Sequence, residues 1–184
     1  QDVTDIKLID NAMGSGHILV YAFDVLMKMY LEQGYSSREA ASSIIQNNLY
    51  GLEIDRRAFQ LAYFALMMKA RQYNRRALMP DKLKPNVFVF EDTNVISDEF
   101  MNQLPQENRD GLLMVLDKFH NARELGSITW LETNLPNIGE LKKLVNNISV
   151  TGLDVFGILE TKHEVLTTLT IAQVLIQKYE IAVT

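Results

Sequence analysis

A chain of 184 residues, 47% of them hydrophobic, can bury one sizeable core, and it lacks the low-hydrophobicity, high-charge signature of a disordered protein. With no cysteine and three scattered histidines it excludes a disulfide framework or thiolate cluster and offers little to a transition metal, and its longest apolar run, Leu61 to Met68, is far short of the roughly 20 residues that span a bilayer. A net charge of −5 gives no electrostatic footprint for wrapping polyanionic nucleic acid, so any grip on DNA is expected from other parts of a parent protein.

Gln1 to Asp5 lack the basic-then-apolar plan of a signal peptide, which with the missing cysteines fits a reducing cytoplasm, and the absence of an initiating methionine reads as an excised piece. Ile6 to Ile9 read as a short strand ending at Asp10, followed by a turn through Gly14 and Gly16. Ile18, Leu19, Ala22, Phe23, Leu26, Met29 and Tyr30 then recur at helical spacing up to Gly34. Ser36 and Glu39 form a capping-box pattern that opens a short helix, which Asn47-Asn48 breaks. A second strand, Leu49 to Ile54, carries Glu53 at its end. Asp55 caps the next helix, whose buried stripe is expected to be Ala58, Leu61, Ala62, Ala65 and Met68. Arg71, Arg75 and Arg76 follow as a solvent-facing cluster, and Pro80 and Pro85 mark a surface loop. Val87 to Phe90, apolar throughout, read as a strand buried on both faces that runs into Glu91 and Asp92. From about Thr93 to Gln177 the pattern is helical, over Gly111 to Arg123, Ile138 to Ile148 and Ile158 to Lys178, before Tyr179 to Thr184 returns as a fourth strand.

Strands alternating with helical crossovers predict right-handed βαβ units, a parallel sheet and a ligand site at the C-terminal strand ends. A dinucleotide fingerprint fits poorly. Its third glycine would fall at Leu19, and the next strand-end acid, Glu53, comes 37 residues after Gly16 where about 20 is usual. No Lys-Ser or Lys-Thr follows the glycines, which excludes a P-loop. Asp10 beside the glycine turn suits a cationic or amino group, Glu53 can accept both ribose hydroxyls of a nucleoside, and Ile54 would flank an adenine. Asp92, or Glu91, can accept from the adenine amino group. Together these describe an amino-acid-bearing adenosine, a description that S-adenosylmethionine fits.

Asp10-Asn11-Ala12-Met13-Gly14-Ser15-Gly16-His17-Ile18-Leu19 resembles motif I of the adenine-specific (N6) DNA methyltransferases, Asp-Pro-Ala-Cys-Gly-Ser-Gly, and Asn48 to Asp55 resembles their motif II. The nearest likeness is to the large methyltransferases of BREX, or Pgl-type, phage-defence systems, which share the Gly-Ser-Gly-His-Ile-Leu run and the following Val20 to Asp24. The resemblance covers the whole chain and is weakest around Phe90-Glu91-Asp92. It implies an α/β, Rossmann-like S-adenosylmethionine-dependent fold, a partial parallel sheet in the order 3-2-1-4 with a helical insertion before the fourth strand. The layout it implies is a cofactor-binding βαβαβ over 1–92, the insertion over 93–178 and the strand over 179–184.

The resemblance also implies roles. Asp10 holds the methionine amino group, Ala12, Gly14 and Gly16 supply closely approaching backbone, Glu53 binds the ribose, Ile54 packs on adenine and Asp92 reads its amino group. In the family the fourth strand leads into Asn-Pro-Pro-Tyr, whose asparagine and proline carbonyl orient a flipped adenine for in-line attack on the methyl group. Thr184 comes before any such motif, so these residues alone are expected to bind cofactor weakly and not to turn over. Asn134-Leu135-Pro136-Asn137 is a poor substitute that lacks the second proline and the aromatic residue. Asn11 and Met13 stand where the family has proline and, commonly, cysteine.

Plainer readings stand beside these. His17, His120 and His163 read as surface or packing residues, Phe59, Tyr63, Phe64, Met67 and Met68 as core, and Asp98-Glu99 as a solvated pair. Two other acceptors, protein glutamine and RNA, fit the same motifs. A non-catalytic module that docks other defence proteins and a nicotinamide oxidoreductase are the readings from other classes.

Overall fold

The computed structural model describes residues 2–79, 83–92, 96–120, 136–151 and 155–184. Pro80, Thr93, Arg123, Asn134 and Leu135 lie outside them. The chain divides into two compact units, Gln1–Val89 with Lys178–Thr184, and Phe90–Gln177.

The first unit is built on four parallel strands, β1 (Leu8–Asp10), β2 (Leu49–Glu53), β3 (Asn86–Val89) and β4 (Ile181–Val183), in the order β3-β2-β1-β4. That is the order 3-2-1-4 expected from the resemblance. In register, Asp10 lies opposite Gly51 on one side and Val183 on the other, and Glu53 lies opposite Val89. Because all strands point the same way, their carboxylate-bearing ends share one edge of the sheet.

Strand limits differ from the sequence reading for local reasons. Val3–Asp5 winds into a 3-10 turn, closed where the Asp2 carboxylate accepts from the Thr4 N–H and hydroxyl, so β1 starts at Leu8 and includes Asp10. β4 is shorter than Tyr179 to Thr184. It is tied to β1 at its start, where the Lys7 carbonyl accepts from Glu180 and Ile181 and the Lys7 N–H donates to the Glu180 carboxylate at 2.7 Å.

α1 (His17–Glu32) buries Leu19, Ala22, Phe23, Leu26, Met27 and Tyr30, while Ile18, expected in that stripe, is exposed. Gly34 ends the segment at φ 87°, a left-handed conformation that glycine adopts without steric penalty. The Ser36 and Glu39 capping box opens α2 (Ser37–Ser43) as read from the sequence. Asn47-Asn48 does not break the chain into coil. It completes a π-helical turn, Ile44–Asn48, that runs straight into β2.

Asn48 is fully buried and serves as a polar hub. Its amide nitrogen donates to the carbonyls of Val3 (2.8 Å) and Ile6 (2.7 Å), and its amide oxygen accepts from the Tyr30 hydroxyl at 2.8 Å. The same hydroxyl meets Ser43 Oγ at 2.7 Å, and burial pushes the Tyr30 phenol above its ordinary pKa. One side chain thus joins the turn before β1, helix α1 and the entry to β2.

α3 (Arg56–Tyr73) corrects the sequence reading. Its buried residues are Ala62, Leu66, Met67 and Ala70, whereas Leu61 and Met68, assigned to the buried stripe, face solvent, as does Phe64. Phe59 and Tyr63 pack against the core as expected.

The second unit is helical: α4 (Asp98–Asn102), α5 (Gln106–Lys118), α6 (Ile138–Asn147) and α7 (Val155–Ile176). Asp98 and Glu99, read as a solvated pair, form the first turn of α4, where acids favour the helix dipole. Pro105 sets the start of α5 earlier than Gly111. Phe90 stacks on Phe119 with ring centroids 6.5 Å apart, and Lys162 donates to the carbonyls of Asn146 and Ile148 at the end of α6. Among the described residues no helix is long and apolar enough to cross a membrane.

Asn48→Ala takes a donor from the Val3 carbonyl, which keeps the Ile6 N–H, and from the Ile6 carbonyl, and one partner from the buried Tyr30 hydroxyl, so it should cost about 1–3 kcal/mol. Urea denaturation monitored by circular dichroism measures this, and a loss below about 0.5 kcal/mol would refute the hub assignment.

Candidate functional site

The turn between β1 and α1 lies at the carboxyl edge of the sheet and is held from both neighbouring strands. The Asn11 N–H donates to the Val183 carbonyl of β4 at 3.1 Å, and the Met13 N–H donates to the Leu52 carbonyl of β2 at 3.1 Å. The Gly14 N–H donates to Glu53 Oε2 at 2.7 Å. Glu53 Oε1 accepts from Ile54 (2.8 Å) and Asp55 (3.0 Å), so this carboxylate, almost fully buried, takes three backbone N–H groups.

Both glycines have left-handed backbones, φ 54° at Gly14 and φ 83° at Gly16, for different reasons. A Cβ on Gly14 would meet nothing within 4 Å, whereas one on Gly16 would lie 2.9 Å from Ala62 Cβ of α3. Gly16 is the close approach of helix to helix, and it starts α1 without a side-chain cap. Ala12 is exposed beside the turn.

Asp10 is 1% exposed. Its Oδ1 accepts from the Ala12 N–H at 3.2 Å, and Oδ2 is buried with no hydrogen-bond partner among the described residues. Burial raises its pKa; the Ala12 hydrogen bond opposes this in part, and the nearby Glu53 carboxylate adds to it. A carboxylate so placed has unmet demand for a donor, above all a cationic one. Ile54 follows Glu53 at the strand end and is 48% exposed, an apolar surface beside the acids.

The first unit therefore brings together Asp10, Ala12, Gly14, Gly16, Glu53 and Ile54. Phe90, Glu91 and Asp92 follow β3 in sequence and fall in the second unit. Of the histidines, His17 is exposed at the start of α1, and His120 and His163 are exposed in the second unit. Asn137 caps α6, its side chain accepting from the Glu140 N–H, which gives it a structural role.

The sequence reading missed how Gly51 and Met13 support the turn. A Cβ on Gly51 would fall 2.4 Å from Met13 Sδ and 2.8 Å from Leu19 Cδ1, so the missing side chain is what seats Met13 against β2. A glycine inside an otherwise apolar strand was the available signal.

A family model, the DNA-methyltransferase domain of MmeI, matches residues 1–104, which include the whole glycine turn and strands β1 to β3 but not β4. The chain belongs to this DNA-methyltransferase domain family. The adenine-specific methyltransferase PglX of Lacticaseibacillus casei (strain Zhang) is 47% identical over 148 residues, covering 79% of this chain and 12% of that protein. The adenine-specific methyltransferase BrxX of Escherichia coli O9:H4 (strain HS) is 52% identical over 73 residues, 40% of this chain and 6% of that protein. The chain thus spans a small part of the length of these curated relatives. Membership of the methyltransferase family is consistent with a site at the strand ends, where Asp10 and Glu53 stand.

Two predictions come from this strand-end turn. Gly14→Ala should cost only the left-handed backbone, about 1–2 kcal/mol, whereas Gly16→Ala adds the Ala62 collision and should cost about 2–4 kcal/mol; thermal or urea unfolding ranks the two, and the reverse order contradicts the geometry. Because the folded-state pKa of Asp10 is raised, its ionisation weakens the fold as pH rises from the unfolded value near ~3.9 to the raised value, and the penalty then stays constant. Asp10→Asn should therefore be more stable than wild type at pH 7 and lose that advantage toward pH 3, a trend read from unfolding curves across the range.

Proposed function

We propose that this chain is the cofactor-binding part of a DNA adenine-N6 methyltransferase that uses S-adenosylmethionine. The observation that carries the reading is Asp10: a buried carboxylate with one unpartnered oxygen, beside a second strand-end acid, fits an ammonium group better than any neutral ligand. The family match and the relatives' adenine-specific activity support the substrate class.

In this reading Asp10 Oδ2 takes the amino group of the methionine moiety, and the backbone of Ala12, Gly14 and Gly16 lets the ligand lie close to the turn. Glu53 accepts from the ribose. A carboxylate has about four lone-pair sites, and three are already engaged by N–H groups. One hydroxyl can therefore bind without disturbing the turn, and a second competes with the Gly14 N–H. Ile54 packs on the adenine ring, and Asp92, with Glu91 as competitor, reads its amino group. When bound, the cofactor supplies an electrophilic methyl group on a sulfonium. The groups of this chain hold and orient it, and no proton transfer is assigned to them.

The 184 residues contain no Asn-Pro-Pro-Tyr sequence, so adenine capture belongs to other parts of a larger protein. DNA contact through those parts, a cytoplasmic location and association with other phage-defence proteins are part of the same proposal.

Isothermal titration of the 184-residue protein with S-adenosylmethionine should show weak, saturable binding that falls at least tenfold in both Glu53→Ala and Asp10→Asn. Transfer of a radiolabelled methyl group to DNA should be undetectable. Absence of binding by a folded protein, or DNA methylation by these residues alone, would overturn the assignment.

A further inference from the structure

α3 has a second apolar face that its own unit does not cover. Opposite its buried side, Leu61, Phe64 and Met68 are 58%, 63% and 37% exposed. With Arg57 before them and Arg71 after, they recur at 4-3-4-3 spacing, which places all five on one seam running about 20 Å along the helix. A single exposed leucine is ordinary. A leucine, a phenylalanine and a methionine aligned at this period form the surface into which another helix packs its side chains.

Charge narrows the choice of occupant. Arg56 to Arg76 contains six arginines and lysines and no acid, so all 23 acidic residues of the chain lie elsewhere. Lys69 is paired with Asp24 of α1 at 2.7 Å, off the seam, while Arg57 and Arg71 are exposed at its two ends. An apolar centre between basic ends complements a helix with apolar residues in the middle and carboxylates at both ends. It is a poor fit to a nucleic-acid backbone, which would set phosphates against Leu61 and Phe64.

We propose that this outer face of α3 is a docking seam for an acid-flanked amphipathic helix of a partner protein. Apolar side chains of that helix cover Leu61, Phe64 and Met68, and its carboxylates meet Arg57 and Arg71. The proposal is independent of what the strand-end site binds.

The test is a titration of the isotope-labelled 184-residue protein, followed by NMR, with a synthetic helical peptide carrying leucines at positions i, i+3 and i+7 between glutamates. A second peptide carries lysines in place of the glutamates. Expected are saturable shifts confined to the outer face of α3, a preference of at least tenfold for the glutamate peptide, and at least tenfold weakening by Phe64→Ser. The double variant R57E/R71E should reverse the preference in favour of the lysine peptide. These positions are exposed, so the variants should keep the wild-type circular dichroism spectrum. Equal binding of both peptides, no saturable shift, or shifts elsewhere overturn the proposal. So does a DNA duplex that perturbs this face when the peptide does not, or a concentration-dependent dimer that Phe64→Ser abolishes.

Discussion

The Glu53 carboxylate holds the site together. A segment with glycines at positions 14 and 16 has little conformational preference of its own, and its order has to come from outside. Glu53 supplies part of that order by accepting from the Gly14 N–H while its other oxygen closes the backbone after β2. The Leu52 and Val183 carbonyls add backbone bonds from the strands on either side of β1. The turn is therefore shaped by the sheet's register, since a shift of β2 by one residue would move Glu53 to the opposite face.

That arrangement sets two like charges near one another at the ends of adjacent strands. Asp10 is the less satisfied of the pair, buried, with one oxygen lacking a partner and its pKa raised mainly by desolvation. A local conflict of this kind weakens the fold without ligand and favours a cationic ligand, as binding sites commonly do. The structure offsets it elsewhere. The buried Asn48 hub ties Val3, Ile6 and Tyr30 together below the site, and Met13 seated over Gly51 fills the space beside the turn.

Much of this was legible in the sequence because it is local. The strand, glycine turn and helix around Asp10, the capping box at Ser36 and Glu39, and Asp55 at the start of α3 all depend on residues within a few positions of one another. What was misread depends on distant neighbours. Leu61 and Met68 have the right spacing for a buried stripe, but α3 carries two apolar faces, and periodicity does not say which one meets the core. Asn48 reads as a helix breaker by composition, and only the carbonyls of Val3 and Ile6 arriving from another segment make it a hub. Glu53 was read as a ribose acceptor alone, since its bond to Gly14 spans 39 residues.

By itself, then, the sequence determined the order of strands and helices, the acids that close β1 and β2 and the resemblance to a methyltransferase family, because hydrophobic period, turn chemistry and short motifs are properties of contiguous residues, whereas β3 ends at Val89, before Glu91 and Asp92. The tertiary structure decided which carboxylate oxygens are already engaged, which apolar face of α3 is left to solvent, and that Gly16 and Gly51 are glycines because Ala62 and Met13 occupy the space a side chain would need. Those outcomes depend on parallel pairing and helix packing between segments far apart in the chain, where spacing alone carries no information about distance.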